Sequence, residues 1–374
     1  MNQRSRIRVR AGFAALAVGV FLAATGPLFG QEATSGGVFL YGADLSTLGR
    51  SLAFGARYYD EQGKPTDPLA ILEAHGVSFV RLRAWVAPAN GANGTEEVVQ
   101  FAKRVHQAGL RLLIDLHYSD TWADPSHQTK PAAWAHDSFD ELLSQVYTYT
   151  AGVCAALKEQ GIEPDIVQTG NEINAGMLWP DGGTNDWPKL AMLLKRAYAA
   201  VKDSLPETQV MLHLANAGDE AGAQGWFDNA RSLGVQWDII GLSYYSYWHG
   251  PMSAMTETLR VLHQRYGKPV IIVETAYPFT LSNADNERNV IFFPGQLTAG
   301  YPATPEGQER NLEDVVAAAK AGGAAGLFYW EPTWTAVAGN GWDPTDPSSG
   351  DGWENQALFD FAGRALPGLA AFGK

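Results

Sequence analysis

Eight short apolar runs, separated by helical patterns, constrain the fold of this chain more than any other feature of its sequence. They span residues 38–45, 77–85, 110–117, 165–172, 209–215, 237–245, 269–275 and 324–331. Each is dense in Val, Ile, Leu or aromatic residues, as strands buried on both faces should be. Helical patterns fill most of the gaps: 67–75 with Pro68 at its start, 96–107 ending before Gly109, 137–160 ending before Gly161, and 186–204. This alternation predicts an α/β fold of the (β/α)8 TIM-barrel type, built as a single domain. An open doubly wound sheet is the competing architecture, but no Gly-rich phosphate loop follows the first run. Two of the loops after strands, 118–137 and 277–309, are long and rich in Pro, Gly, Asn and Trp. Barrel enzymes build their clefts from such loops.

The N-terminus reads differently. Residues 1–10 carry four arginines and no acid, 11–26 form an apolar run of small and aliphatic residues, and a polar stretch follows. That order predicts a signal peptide over 1–30 and a catalytic chain over 31–374, secreted or periplasmic. The alternative, an uncleaved anchor, is disfavoured because the apolar run is shorter than the ~20 residues a span requires. The single cysteine, Cys154, rules out an intramolecular disulfide, so an exported chain must rest on a large core or a bound ion. A formal charge of −13 with no basic run argues against nucleic acid and anionic membranes as partners, and a monomer is expected. Twelve tryptophans and fourteen tyrosines exceed what a core needs, and some should serve as flat platforms for sugar rings.

In a barrel, polar residues at the C-terminal ends of strands face the active-site mouth. The runs here end in Asp44, in Arg81 to Trp85, in Asp115 to Tyr118, in Asn171-Glu172, in Tyr244-Tyr245, in Glu274 and in Trp330-Glu331. A glutamate closing a buried strand is costly to desolvate unless it has a partner or a task. Glu172 and Glu274 close the fourth and seventh runs, and glycoside hydrolysis needs such a pair of carboxylates. A structural salt bridge, for instance of Glu172 with Arg83, is the bland alternative for either residue alone. Asp115 and His117 lack the His/Cys cluster of a zinc site, so no catalytic metal is expected. No Gly-x-Ser-x-Gly elbow is present to support an esterase mechanism.

Several stretches resemble the endo-β-1,4-galactanases of glycoside hydrolase family 53. They are Gly42-Ala-Asp44-Leu-Ser46, Phe79-Val-Arg81-Leu-Arg83-Ala-Trp85, the segment from Asp115 through His117 and Trp122 to Pro125, Val167-Gln168-Thr-Gly-Asn171-Glu172-Ile-Asn174, Gly241-Leu-Ser243-Tyr244-Tyr245, Glu274-Thr-Ala-Tyr277-Pro278, and the segment from Gly352 to Phe359. The Asn-Glu pair is shared with the wider clan of retaining barrel glycosidases. The resemblance implies that Glu172 is the general acid/base, Glu274 the nucleophile, and plant cell-wall β-1,4-galactan, or type I arabinogalactan, the substrate. Glu172 should then carry a raised pKa, and Glu274 should have cationic company, for which Arg83 is the candidate. Asn171 is expected to bond the 2-hydroxyl of the reacting sugar. Tyr245, or its neighbour Tyr244, should lie beneath the nucleophile; alternation does not say which. Asp44 and His117 are expected around the sugar, although a lone His on a strand is as readily a core residue. Trp330 is either the floor of the cleavage subsite or a core cap. Trp353, with Trp85, Trp248 and Trp342, belongs to outer subsites. No cofactor is expected for catalysis. Bacterial members of the family can hold a structural calcium in the loop after strand seven, where this chain carries Asp285, Glu287 and Asn289; a solvated loop is the competing reading, since calcium needs six or more oxygens. Another sugar (a mannanase, xylanase or glucanase of the same clan) or an inactive carbohydrate-binding barrel are the alternatives.

Overall fold

The computed structural model describes residues 38–373 except residue 347, so the expected signal peptide lies outside the described residues. Eight strands form a closed, wholly parallel barrel: β1 (Leu40–Asp44), β2 (Phe79–Ala84), β3 (Arg111–Leu116), β4 (Ile166–Thr169), β5 (Gln209–Leu214), β6 (Ile239–Ser243), β7 (Val270–Glu274) and β8 (Gly326–Trp330), which pairs back onto β1. Every one of these lies within its predicted run; the runs reached a few residues into the loops at either end.

Eight helices clothe the barrel: α1 (Leu48–Ala53), α2 (Pro68–Ala74), α3 (Thr95–Gln107), α4 (Phe139–Lys158), α5 (Trp187–Ser204), α6 (Glu220–Ser232), α7 (Met252–Tyr266) and α8 (Pro305–Ala321). Their starts follow local chemistry. Asp67 caps α2 with Pro68 in its first turn, Ser138 and Glu141 form a capping box on α4, and Thr304 caps α8 ahead of Pro305. The helices are not one per strand. Both α1 and α2 fall between β1 and β2, and among the described residues after β8 the helical elements are short 3-10 turns, the last of which, Pro367–Ala371, packs on α8. Among the described residues no helix is long and apolar enough to cross a membrane.

Inside the barrel, residues of period two point inward and form layers. The lower layers are apolar: Phe79, Leu113, Ile166, Met211, Ile239, Ile271 and Phe328 make one buried cluster. Gly42 leaves room for the Phe328 ring, because a Cβ there would lie 2.3 Å from it. Two residues beyond Gly42, Phe79, Leu113, Ile166, Met211 and Gly241, the inward positions become Asp44, Arg81, Asp115, Gln168, His213 and Ser243, all buried. The interior therefore switches from hydrocarbon to polar groups at one height, beneath the mouth.

Candidate active site

Arg81 organises that polar layer. Its guanidinium meets Asp44 Oδ2 at 2.9 Å, Asp115 Oδ2 at 2.8 Å and Glu274 Oε1 at 2.8 Å, and also donates to Gln168 Oε1 and Asn171 Oδ1. Arg83, expected beside Glu274, is instead one layer higher. It pairs with Glu331 Oε1 at 2.9 Å and lies 4.1 Å over the Trp122 ring. The reason is the pleat: Arg81 and Arg83 share the inward face, and the height of their partners decides which one reaches β7.

Strict alternation along β7 would turn Glu274 outward, because Val273 before it already faces the inner cluster. A bulge corrects this. Leu242 pairs with Ile272 but Ser243 pairs with Glu274, so β7 carries one extra residue there and both Val273 and Glu274 face in. Glu172 is aimed differently. The chain leaves β4 through Gly170 (φ +96°) and Glu172 itself has φ +47°, a left-handed conformation that costs a non-glycine residue roughly 1 kcal/mol or more. The bend lets Asn171 and Glu172, adjacent in sequence, both face the mouth.

The two glutamates line one cleft of about 690 Å³, together with Asp44, Arg83, His117, Asn171, Tyr245, Trp330 and Trp353. All nine expected site residues are thus brought together. Burial first, and then the charge of Glu274, pushes Glu172 up to about 8, against a bond from the Ser243 hydroxyl; Asp124 adds to the rise and Arg81 opposes it. Burial raises Glu274 as well, with Asp115 and Asp44 adding to it, while Arg81 pulls it down. The two acids differ in their partners. Glu274 accepts from Arg81 on one oxygen and from the Tyr245 hydroxyl, at 3.1 Å, on the other. Among the described residues, the Glu172 carboxyl has the Ser243 hydroxyl alone, at 2.6 Å. Charge therefore settles on Glu274 and the shared proton on Glu172.

The remaining side chains take definite places. Tyr245, not Tyr244, faces inward; Tyr244 donates to the Gly250 carbonyl at 2.8 Å. His117 Nδ1 accepts from the Trp85 indole and the Ala123 amide, which leaves Nε2–H to donate to Asp115 at 3.0 Å. It orients a carboxylate of the Arg81 cluster. Asn171 donates to the Ala123 carbonyl at 2.8 Å while its oxygen accepts from Arg81, so its amide orientation is fixed from both ends. Trp330 stands perpendicular to Trp353 at 4.6 Å. Trp342 stacks on both Trp122 and Trp334, giving one wall of the cleft a slab of near-parallel indoles. Trp248, half-exposed, lines the same cleft. Gln168, His213 and Ser243 also belong to the Arg81 layer, though none is an acid or a large aromatic that stands out at a strand end. Counting in twos from the apolar Ile166, Met211 and Gly241 reaches all three.

Among the described residues no three His, Cys, Asp or Glu side chains gather as a metal-binding group. The loop with Asp285, Glu287 and Asn289 is nonetheless not freely solvated. Asn289 is buried, and Asp285 accepts the backbone N–H groups of Glu287 and Asp351. Three oxygens there, Asn289 Oδ1, Asp351 Oδ2 and Glu354 Oε2, are buried with no hydrogen-bond partner. Burial, with neighbouring carboxylates adding, raises Asp351 well above the usual range and Glu354 to about 7.

A closed (β/α)8 barrel whose mouth holds two glutamates facing one tryptophan-lined cleft defines a glycoside hydrolase. Comparison with known proteins places it further. The family model described as glycosyl hydrolase family 53 matches residues 40–372, and the chain belongs to that family. It is 37% identical over 369 residues to an arabinogalactan endo-beta-1,4-galactanase of Cellvibrio japonicus, covering 94% of this chain and 96% of that protein. The solved GH53 catalytic domain of Ignisphaera aggregans superposes with a TM-score of 0.86 at 41% identity, covering 90% of this chain and 95% of that one. A solved fungal beta-1,4-galactanase gives 0.78 at 35% identity, over 90% and 99% of the two chains.

Proposed function

We infer that this protein is an endo-acting retaining glycosidase that hydrolyses β-1,4-galactosidic bonds in galactan and type I arabinogalactan. Glu274 acts as nucleophile and Glu172 as general acid/base. The observation that carries this reading is the unequal partnering of the two glutamates: Arg81 and Tyr245 support a charge on Glu274, and burial beside that charge keeps a proton on Glu172. In the first step a Glu274 oxygen attacks the anomeric carbon and the glycosidic oxygen departs with the Glu172 proton. In the second, Glu172, now ionised, takes a proton from water as that water attacks the same carbon and releases Glu274. In this reading Asn171 bonds the 2-hydroxyl and Trp330 floors the cleavage subsite, with Trp353, Trp342 and Trp248 as outer platforms; all of them line the cleft. Asp44 and His117 act through Arg81 and Asp115. The choice of galactan over the other clan sugars rests on the family and on the galactanases that this chain resembles.

The chain is read as a leader over 1–30 and one catalytic unit over 31–374, exported and working as a monomer. The buried, unpartnered oxygens of Asn289, Asp351 and Glu354, beside Asp285, suit a hard cation such as calcium in a structural role. Thermal unfolding with and without chelator tests that: an unchanged Tm excludes it.

Incubation with purified linear β-1,4-galactan, beside mannan, xylan and β-glucan, tests the activity. Short galacto-oligosaccharides from galactan alone are expected. Faster release from any of the other three reassigns the sugar, and release from none leaves a binding barrel.

A further inference from the structure

Two polar side chains behind Glu172 have no role in the scheme above: Ser243, closing β6, and His213, near the end of β5. Both are fully buried, and neither lines the cleft. Ser243 Oγ lies 2.6 Å from Glu172 Oε1 and 2.9 Å from His213 Nε2. On the far side of the imidazole, Nδ1 faces the Glu172 backbone N–H at 3.3 Å, the Gln168 amide nitrogen at 3.0 Å and Asn171 Oδ1 at 2.9 Å.

A serine hydroxyl has one proton to give, so the ring tautomer decides where it goes. With the ring proton on Nε2, the ring donates to Ser243 Oγ and the Ser243 hydroxyl is left to donate to Glu172 Oε1. With the ring proton on Nδ1, the ring donates to Asn171, Nε2 takes the Ser243 proton, and Glu172 Oε1 has to donate to Ser243. Only the first arrangement leaves the acid's proton on Oε2, away from Ser243. The Glu172 N–H has Nδ1 as its acceptor, the Gln168 amide divides its two protons among Nδ1, Asp115 Oδ1 at 2.6 Å and Asn171 Oδ1 at 3.2 Å, and Asn171 Oδ1 is already supplied by Arg81 at 2.8 Å. The Nε2–H tautomer therefore satisfies more of the buried groups.

We propose that His213, acting through Ser243, holds the proton of Glu172 on Oε2, where the glycosidic oxygen can take it. The proposal rests on the reading of Glu172 as the acid. Both residues are positioning residues, since neither touches the sugar. Neutrality of the ring is built in: burial first, and then the Arg81 charge, hold His213 well below its usual range, with His117 adding and Asp115 opposing. The charged and titratable groups around the chain are Arg81 on β2, Asp115, His117 and Asp124 on β3 and its loop, Tyr245 beyond β6 and Glu274 on β7.

The test compares Ser243→Ala with the parent on two substrates, using kcat/KM, which reports the first chemical step. On linear β-1,4-galactan the variant should lose roughly 100-fold, the lower end of a general-acid contribution. On a dinitrophenyl β-galactobioside, whose leaving group departs without a proton, the loss should stay within about threefold on the same reasoning. The alkaline limb should move up, because ionised Glu172 loses a bond that favoured it. Ser243→Thr, which keeps the hydroxyl, should recover most of the loss. Equal losses on both substrates with an unmoved limb, or no loss at all, overturn the proposal. Nitrogen-15 NMR of His213 in the parent protein decides independently: a proton on Nε2 is expected, and one on Nδ1 overturns it even if the variant fails to fold. A parent without activity on galactan would count against the enzyme reading, while the tautomer measurement would still judge the hydrogen-bond chain.

Discussion

Arg81 faces three carboxylates, Asp44, Asp115 and Glu274, each within 2.9 Å. A guanidinium's five N–H donors serve these and the Gln168 and Asn171 oxygens as well, which the three of an ammonium cannot. Arg81→Lys should therefore lower kcat on galactan on the order of 100-fold, as loss of a preorganised charge contact does. Its acid limb should move to higher pH, because Glu274 works ionised and loses the partner that lowers its pKa. An acid limb left in place would show that Arg81 does not hold that charge. In the parent, the alkaline limb should fall near pH 8, where Glu172, held at about 8, gives up its proton. A limb more than about two pH units lower would mean that another group is the acid. At this scale the sequence exposed the two glutamates and Asn171, because acids at the ends of apolar strands stand out. It did not separate Arg81 from Arg83: residues two apart share a face, and only the height of Asp44 and Asp115 in the closed barrel tells them apart.

The elements carry the site by their register. All eight strands were legible as apolar runs, and Ile166, Met211 and Phe328 fill inward positions as period two requires. The bulge between β6 and β7 was not legible, since a register shift is a relation between two strands and neither sequence displays it. Counting in twos from Val273 would have turned Glu274 away from the cleft. The missing helix after β8 was also hidden, because the C-terminal segment is apolar enough to pack whether or not it coils. Packing of the lower layers can be tested at Gly42, whose absent side chain admits Phe328. Gly42→Ala should cost about 1–3 kcal/mol, the usual range for overpacking a core. Phe328→Leu in the same chain should return part of that cost. If denaturant titration finds the two changes simply additive, the ring and the glycine are not in contact as described.

Over the whole molecule, the buried acids tie stability to pH. Glu172 and Glu331 are held up at about 8, chiefly by burial. A carboxyl whose pKa is higher folded than unfolded binds more protons when folded, so stability falls as pH rises from about 4.5 to about 8. The Tm should be higher at pH 5 than at pH 8, by on the order of 5 °C for a chain of this size. A flat or inverted profile would mean that these acids ionise freely in the folded state. Closing the barrel also brings glutamates from β4 and β7, about a hundred residues apart, to one cleft, and the account stands on their dividing the work. The most direct measurement is mass spectrometry of the protein after incubation with a 2-deoxy-2-fluoro-galactobioside bearing an activated leaving group, which slows release of the covalent intermediate. The account predicts one glycosyl adduct on the peptide containing Glu274. An adduct on Glu172, or turnover with none at all, would contradict it.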